Sequence, residues 1–316
     1  ICAGSALPPP EASANAPVSR ATAGALLALV VVLWGSNWPV MKAGLAYIPP
    51  LHFALARMAL GAATLLPVAA LAGQLRWPAR QDWPVVLSVG ALQMALFMAL
   101  ANFGLMFVGA GRAAVLAYTT PLWVVPLAAL VLGERLTRGR AAGLALGLAG
   151  LAVLFNPAGF DWSDRGVLLG NGLLLLGALI WAGLIVQVRG HRFAGTPLSL
   201  APFQFLVACV LLAPAALVFE PQAELRWGGT LGLVLLYNGP VATAFCFWAM
   251  LTVTRALPAA TTALGTLGVP AVGVLAGALA LGEALTPTVL GGLGLIVAGL
   301  AAVTLADRPR RTAAAA

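Results

Sequence analysis

Residues 121–137 read PLWVVPLAALVLGERLT, and 149 positions later residues 270–286 read PAVGVLAGALALGEALT. Pro121 falls on Pro270, Gly133 on Gly282, Glu134 on Glu283 and Thr137 on Thr286. Upstream, LLPVAAL at 65–71 lies against LAPAALV at 212–218, with Pro67 on Pro214 and Pro50 on Pro197, at an offset of 147. Apolar identities come cheaply in a chain rich in Leu, Ala and Gly, so the prolines and the paired LGE-x-LT segments carry the weight. An offset that is nearly constant over half the chain is an internal repeat.

What each repeat contains follows from composition. Hydrophobic residues make up 61% of the 316-residue chain and charged residues 8%, with a mean hydropathy of +1.00; soluble domains carry roughly 25% charged residues. So few charges cannot cover a water-facing surface, and a soluble fold is excluded. The net charge of +8 comes from 17 basic residues scattered between apolar blocks without a run or stripe, which argues against nucleic acid as a partner. Cys2, Cys209 and Cys246 show no CxxC or metal-ligand spacing, so neither a disulfide framework, a metal site nor a cofactor is expected. Residues 1–20 are rich in Ala, Pro and Ser without a basic n-region running into an apolar stretch. They read as a disordered tail, and the first apolar block as an uncleaved anchor.

Cutting the chain at charges, Pro/Gly clusters and polar turns leaves apolar blocks at 21–41, 51–72, 84–107, 111–132, 139–155, 166–188, 197–219, 229–254, 258–281 and 287–306. Each is long enough to span a bilayer. Twelve basic residues then fall on the side of the N-terminus and four on the other (Lys42, Arg112, Arg165 and Arg226), with Arg57 alone inside a span. The positive-inside rule places both termini in the cytoplasm. The expected fold is an all-α integral membrane protein of ten transmembrane helices, divided into a first five-helix repeat (21–156), a second (157–306) and a basic C-terminal tail (307–316). Five spans per repeat is an odd number, so the second copy enters the membrane upside down. Exchanging the conformations of two inverted halves turns an outward-open cavity into an inward-open one, the geometry of alternating access.

Five-plus-five spans, the early W-G-S-N-W at Trp34–Trp38, and two copies of Pro followed by an apolar stretch ending in L-G-E-x-L-T resemble the EamA-type drug/metabolite transporter superfamily, over residues 22–306. The twin Leu-Gly-Glu ending at Glu134 and Glu283 is the most specific element of the likeness. The resemblance implies a multi-pass permease of a bacterial inner membrane, often an exporter of amino acids or related metabolites; the aromatic amino acid exporters fit best. Its partners are then a small-molecule substrate and the lipid bilayer, and it works as a monomer or weak homodimer.

Polar and aromatic groups inside spans have to be hydrogen-bonded or face water, which makes them the candidate site. Trp34, Asn37, Trp38 and Met41 follow i, i+3, i+4, i+7 spacing and share one face of the first span. Gln93 and Phe97 lie one turn apart on the third span, with Asn102 pointing away. Tyr237, Asn238 and Trp248 are the candidates on the eighth span, and Tyr118 and Trp181 complete an aromatic wall. For the amides the competing reading is hydrogen bonding between helices. Arg57 suits a carboxylate through two parallel hydrogen bonds, or else snorkels to the interface. Pro121, behind Thr119 and Thr120, and Pro270, behind Thr261, Thr262 and Thr266, break the helical ladder and are candidate hinges. Glu134 and Glu283, at span ends, read as caps of the following helices or as ion-pair partners, Arg138 being the candidate for Glu134.

No Asp or Glu falls mid-span, whereas proton-coupled carriers usually load a buried acid, so passive or potential-driven exchange without obligatory proton coupling is expected. A membrane enzyme would need a nucleophile, base or metal cluster at depth. His52 and His191 stand alone in the sequence, and no HExxH occurs. A channel would show repeated polar rings, and only glycine and proline recur. Other amphipathic solutes, such as nucleosides, amines or drugs, are the alternative substrates.

Overall fold

The computed structural model describes residues 18–133, 137–155, 163–189, 191–257, 262 and 265–306. Among these every regular element is helical: α1 (Arg20–Gly44), α2 (Pro50–Leu71), α3 (Trp83–Phe107), α4 (Ala110–Leu132), α5 (Arg138–Phe155), α6 (Arg165–Arg189), α7 (Pro197–Phe219), α8 (229–256), α9 (Gly268–Leu281) and α10 (Pro287–Ala306). Eight of them, all but α5 and α9, are long and apolar enough to cross a bilayer. The first part of the ninth apolar block, including Thr261, lies largely outside the described residues, as do Glu134, most of the N-terminal tail and the C-terminal tail.

Local sequence explains where the helices start, stop and deform. Pro50 and Pro197 open α2 and α7 at positions whose N–H needs no intrahelical partner. Gly133 and Gly282 end α4 and α9 with the same left-handed φ of 67°, which a side chain would resist. Pro121 lacks the N–H that would bond Ala117 O, and the Thr120 hydroxyl donates to that carbonyl at 2.8 Å. Thr119 does the same for Leu116 at 2.6 Å, so α4 passes through a break at Tyr118–Thr119. Both α3 and α8 contain a π-helical stretch, Val89–Phe97 and Tyr237–Phe245, displaced from each other by 148 residues.

Packing pairs the two halves. α2 lies on α7, α5 on α10 and α4 on α9, while α1 meets α9 as α6 meets α4, α3 meets α6 as α8 meets α1, and α3 meets α7 as α8 meets α2. The core is apolar, and so is the outside. Leu130 and Leu279, which correspond in the repeat, are 82% and 79% exposed, as suits side chains that face lipid. Small residues let the backbones of α5 and α10 touch: a Cβ on Gly143 would lie 2.6 Å from Gly299 O, and one on Gly299 2.6 Å from Gly143 O. The glycine stripe of α5 is therefore occupied within the chain.

Buried acids fasten helix starts across the halves. Glu283, at the end of α9, accepts from Ala110 N and from Gly111 N at 2.9 Å, capping α4. It caps a helix of the other half, not the one that follows it in sequence. Beside it the Lys42 ammonium donates to Leu105 O at 3.1 Å and to Val108 O, closing the end of α3. Glu220 accepts from Leu51 N at 2.9 Å and His52 N at 3.1 Å and pairs with His52 Nδ1 at 2.8 Å, so α7 anchors the start of α2. At the opposite end Asp82 accepts from Ala194 N at 3.1 Å and Gly195 N at 2.8 Å and pairs with His191 Nε2 at 3.2 Å. The two histidines are thus not isolated; each sits in a matching latch that sequence spacing hides, because its acid is more than a hundred residues away.

Candidate functional site

Between the halves, near the middle of α1, α3, α6 and α8, lies a cavity of about 340 Å³, within the usual range for small-molecule sites. Its walls come from α1 (Trp34, Asn37, Trp38, Met41), α2 (Arg57, Met58), α3 (Gln93, Met94, Phe97, Met98, Ala101), α4 (Tyr118), α6 (Trp181), α7 (Phe205) and α8 (Ala242, Thr243, Phe247, Met250). Five of the chain's six methionines line it. Thioethers on flexible stems adapt to ligands of different outline. The aromatic wall is continuous: Trp181 stacks at 5.2 Å from Phe97 and 6.2 Å from Tyr118, centroid to centroid.

One polar chain crosses this apolar chamber. Arg57, 8% exposed, donates from Nε to Thr243 Oγ1 at 2.7 Å and from Nη1 to Met41 Sδ at 3.2 Å. Asn37 Nδ2 donates to the same sulfur at 3.0 Å, and Asn37 Oδ1 is buried without a partner. Thr243 donates onward to Asn238 O at 2.7 Å, five residues back, and Trp34 Nε1 takes Ala242 O at 2.9 Å. Both acceptors belong to the π-helical turn of α8, so the irregular backbone holds the arginine's partner and an indole in place. No carboxylate among the described residues pairs with Arg57, and no Asp or Glu lines the cavity. Arg57 does not snorkel.

The sequence-derived candidates divide. Trp34, Asn37, Trp38, Arg57, Gln93, Phe97, Tyr118 and Trp181 are brought together around the cavity. Tyr237 instead donates its hydroxyl to Leu33 O at 2.8 Å and shares a 2.8 Å hydrogen bond with Ser36; Asn238 is buried and donates to Val234 O at 3.0 Å; Trp248 lies on the outer face beside Phe245. Asn102 Nδ2 holds Pro50 O at 2.9 Å, joining α3 to α2. Thr243 and the methionines were not singled out by sequence. A hydroxyl in an otherwise apolar stretch was the available signal for Thr243. Pro121 follows the break in α4, and Pro270 is the third residue of α9.

A family model described as EamA-like transporter family matches this chain twice, over residues 22–156 and 168–305. The chain belongs to the EamA-like transporter family. An uncharacterized transporter of Bacillus subtilis, YvbV, is 31% identical over 92% of this chain and 93% of its own length. A probable amino-acid metabolite efflux pump of Salmonella typhimurium is also 31% identical, over 92% of this chain and 97% of its own. A probable terminal-alkyne amino-acid exporter of Streptantibioticus cattleyicolor is 28% identical over 90% and 94%. One solved crystal structure, 26% identical, superposes with a TM-score of 0.64 over 93% of this chain and 100% of the other. As an EamA-like transporter the chain is a multi-pass membrane protein that moves small metabolites, and the cavity between its halves is where such a solute fits.

Proposed function

We propose that this EamA-like transporter exports small amphipathic metabolites, amino acids with aromatic ones favoured, across a bacterial inner membrane by alternating access. The observation that carries the reading is a single buried guanidinium, Arg57, facing a chamber otherwise walled by aromatic rings and thioethers. A planar fork of donors recognises a carboxylate through paired charge-assisted bonds, and the rings of Trp34, Phe97, Tyr118 and Trp181 take an apolar side chain. The printed names of the Salmonella and Streptantibioticus relatives, both amino-acid exporters, favour this solute class.

The carrier mechanism rests on the two halves. Two family matches, two π-helical turns at one offset, two left-handed glycine caps and the exchangeable pairing of helices all support a ten-span, five-plus-five inverted repeat. With twelve basic residues against four, both termini lie in the cytoplasm. The break ahead of Pro121 and the start of α9 at Pro270 are the bending points. A cavity without a carboxylate favours transport without obligatory proton coupling.

Counterflow in liposomes carrying the purified full chain tests this. Saturable uptake of labelled phenylalanine or tryptophan, competed by the unlabelled amino acid and insensitive to collapse of the pH gradient at fixed membrane potential, is the expected result. Exchange with no amino acid would overturn the solute class; accumulation abolished by collapsing the pH gradient alone would overturn uncoupled transport.

A further inference from the structure

The cavity is charged on one side only, and this bears on which part of an amino acid it reads. Resting on the carrier reading above, we infer that the carboxylate is the required recognition element and that a charged amine is dispensable: the site takes amphipathic monocarboxylates, including N-acylated or deaminated amino acids, at least as well as the zwitterions.

Arg57 supplies the reason for the first part. Two of its nitrogens are spent on Thr243 and Met41, and no acid among the described residues neutralises it. A guanidinium held at 8% exposure without a counter-ion is costly at membrane depth, and a bound carboxylate removes that cost. The second part follows from what stands opposite. Asn37 Oδ1 is buried without a partner on the cavity wall, and its own amide donates to the sulfur that Arg57 also uses. This oxygen accepts one hydrogen bond from a neutral amide N–H as readily as from an ammonium. It offers no negative charge, and its closeness to the guanidinium disfavours a second cation. Ring faces attract an ammonium, but the nearby guanidinium opposes it with a full charge.

A matched series on the detergent-purified full chain separates the groups: phenylalanine, N-acetylphenylalanine, 3-phenylpropionate and phenethylamine, read by ligand-induced rise in melting temperature and by competition of labelled phenylalanine counterflow. The acylated and deaminated acids are expected to compete at concentrations equal to or below that of phenylalanine, and phenethylamine to need at least a hundredfold more. In Arg57→Gln the three acids lose their effect by tenfold or more; Arg57→Lys, which keeps the charge without the fork, recovers part of it. The ligand series on the unsubstituted chain stands even if a variant fails to fold. If phenylalanine and phenethylamine are taken while the acylated acid is rejected, the inference falls and the carrier reading survives. If none of the four competes or stabilises, the amino-acid reading falls and takes the inference with it.

Discussion

Arg57 Nε donates to Thr243 Oγ1 at 2.7 Å, and this one bond ties α2 of the first half to the π-helical turn of α8 in the second. Thr243→Val keeps the shape and removes the acceptor, leaving a buried charged donor unpaired at a cost of about 1–3 kcal/mol. A lower melting temperature is expected, with KM raised more than kcat falls, because the guanidinium is no longer aimed. Thr243→Ser is expected to behave as the parent in both measurements.

Glu283 closes the start of α4 from the far half. Glu283→Ala removes two amide acceptors at a helix N-terminus, an effect worth about 0.5–2 kcal/mol. Thermal unfolding in detergent checks it. Glu283→Gln, which keeps one acceptor oxygen, is expected to fall between the two.

The Asp82 latch makes stability depend on pH. Burial pushes its carboxyl up, but the amides of Ala194 and Gly195 and the contact with His191 outweigh that and hold it below the usual carboxylate range. A depressed folded value means that the stabilisation is present above the unfolded pKa of about 3.9 and is lost as pH falls through the folded one. Asp82→Asn is therefore expected to lower the melting temperature at neutral pH and to converge on the parent in strong acid. Parallel melting curves at both pH values would show that the latch contributes nothing.

Trp181 stands between Phe97 and Tyr118. Truncation to Ala deletes the middle of the aromatic wall, and losing ring contacts worth about 0.5–1.5 kcal/mol each corresponds to roughly a tenfold rise in KM for aromatic solutes. Small aliphatic solutes are expected to change less. Initial rates for labelled phenylalanine and alanine, measured side by side, make the comparison.

Spans and repeat were legible because they are written in features that a single sequence displays: charges that end apolar blocks, and prolines and Leu-Gly-Glu segments at a constant offset. The face of α1 was legible too, since its regular helix obeys the 3.6-residue period and brings Trp34, Asn37, Trp38 and Met41 together. On α8 that period misleads. The i→i+5 bonding of Tyr237–Phe245 changes the phase of every residue beyond it, so Tyr237 turns to the backbone of α1, Trp248 turns outward, and Thr243 reaches the cavity. Gln93 and Phe97 survive a similar stretch in α3 because they are only one turn apart. The histidine latches were illegible for another reason: each joins residues brought together only by the docking of α2 on α7.

Alternating access to the cavity is the central claim, and a single thiol inside it tests that claim most directly. In a chain with Cys2, Cys209 and Cys246 changed to Ser, Met98→Cys places the thiol on the cavity wall. A membrane-impermeant maleimide is then applied to right-side-out and to inside-out vesicles. Labelling from both sides, slowed on both by a transported solute, is the predicted result; labelling confined to one side, with and without solute, would contradict it.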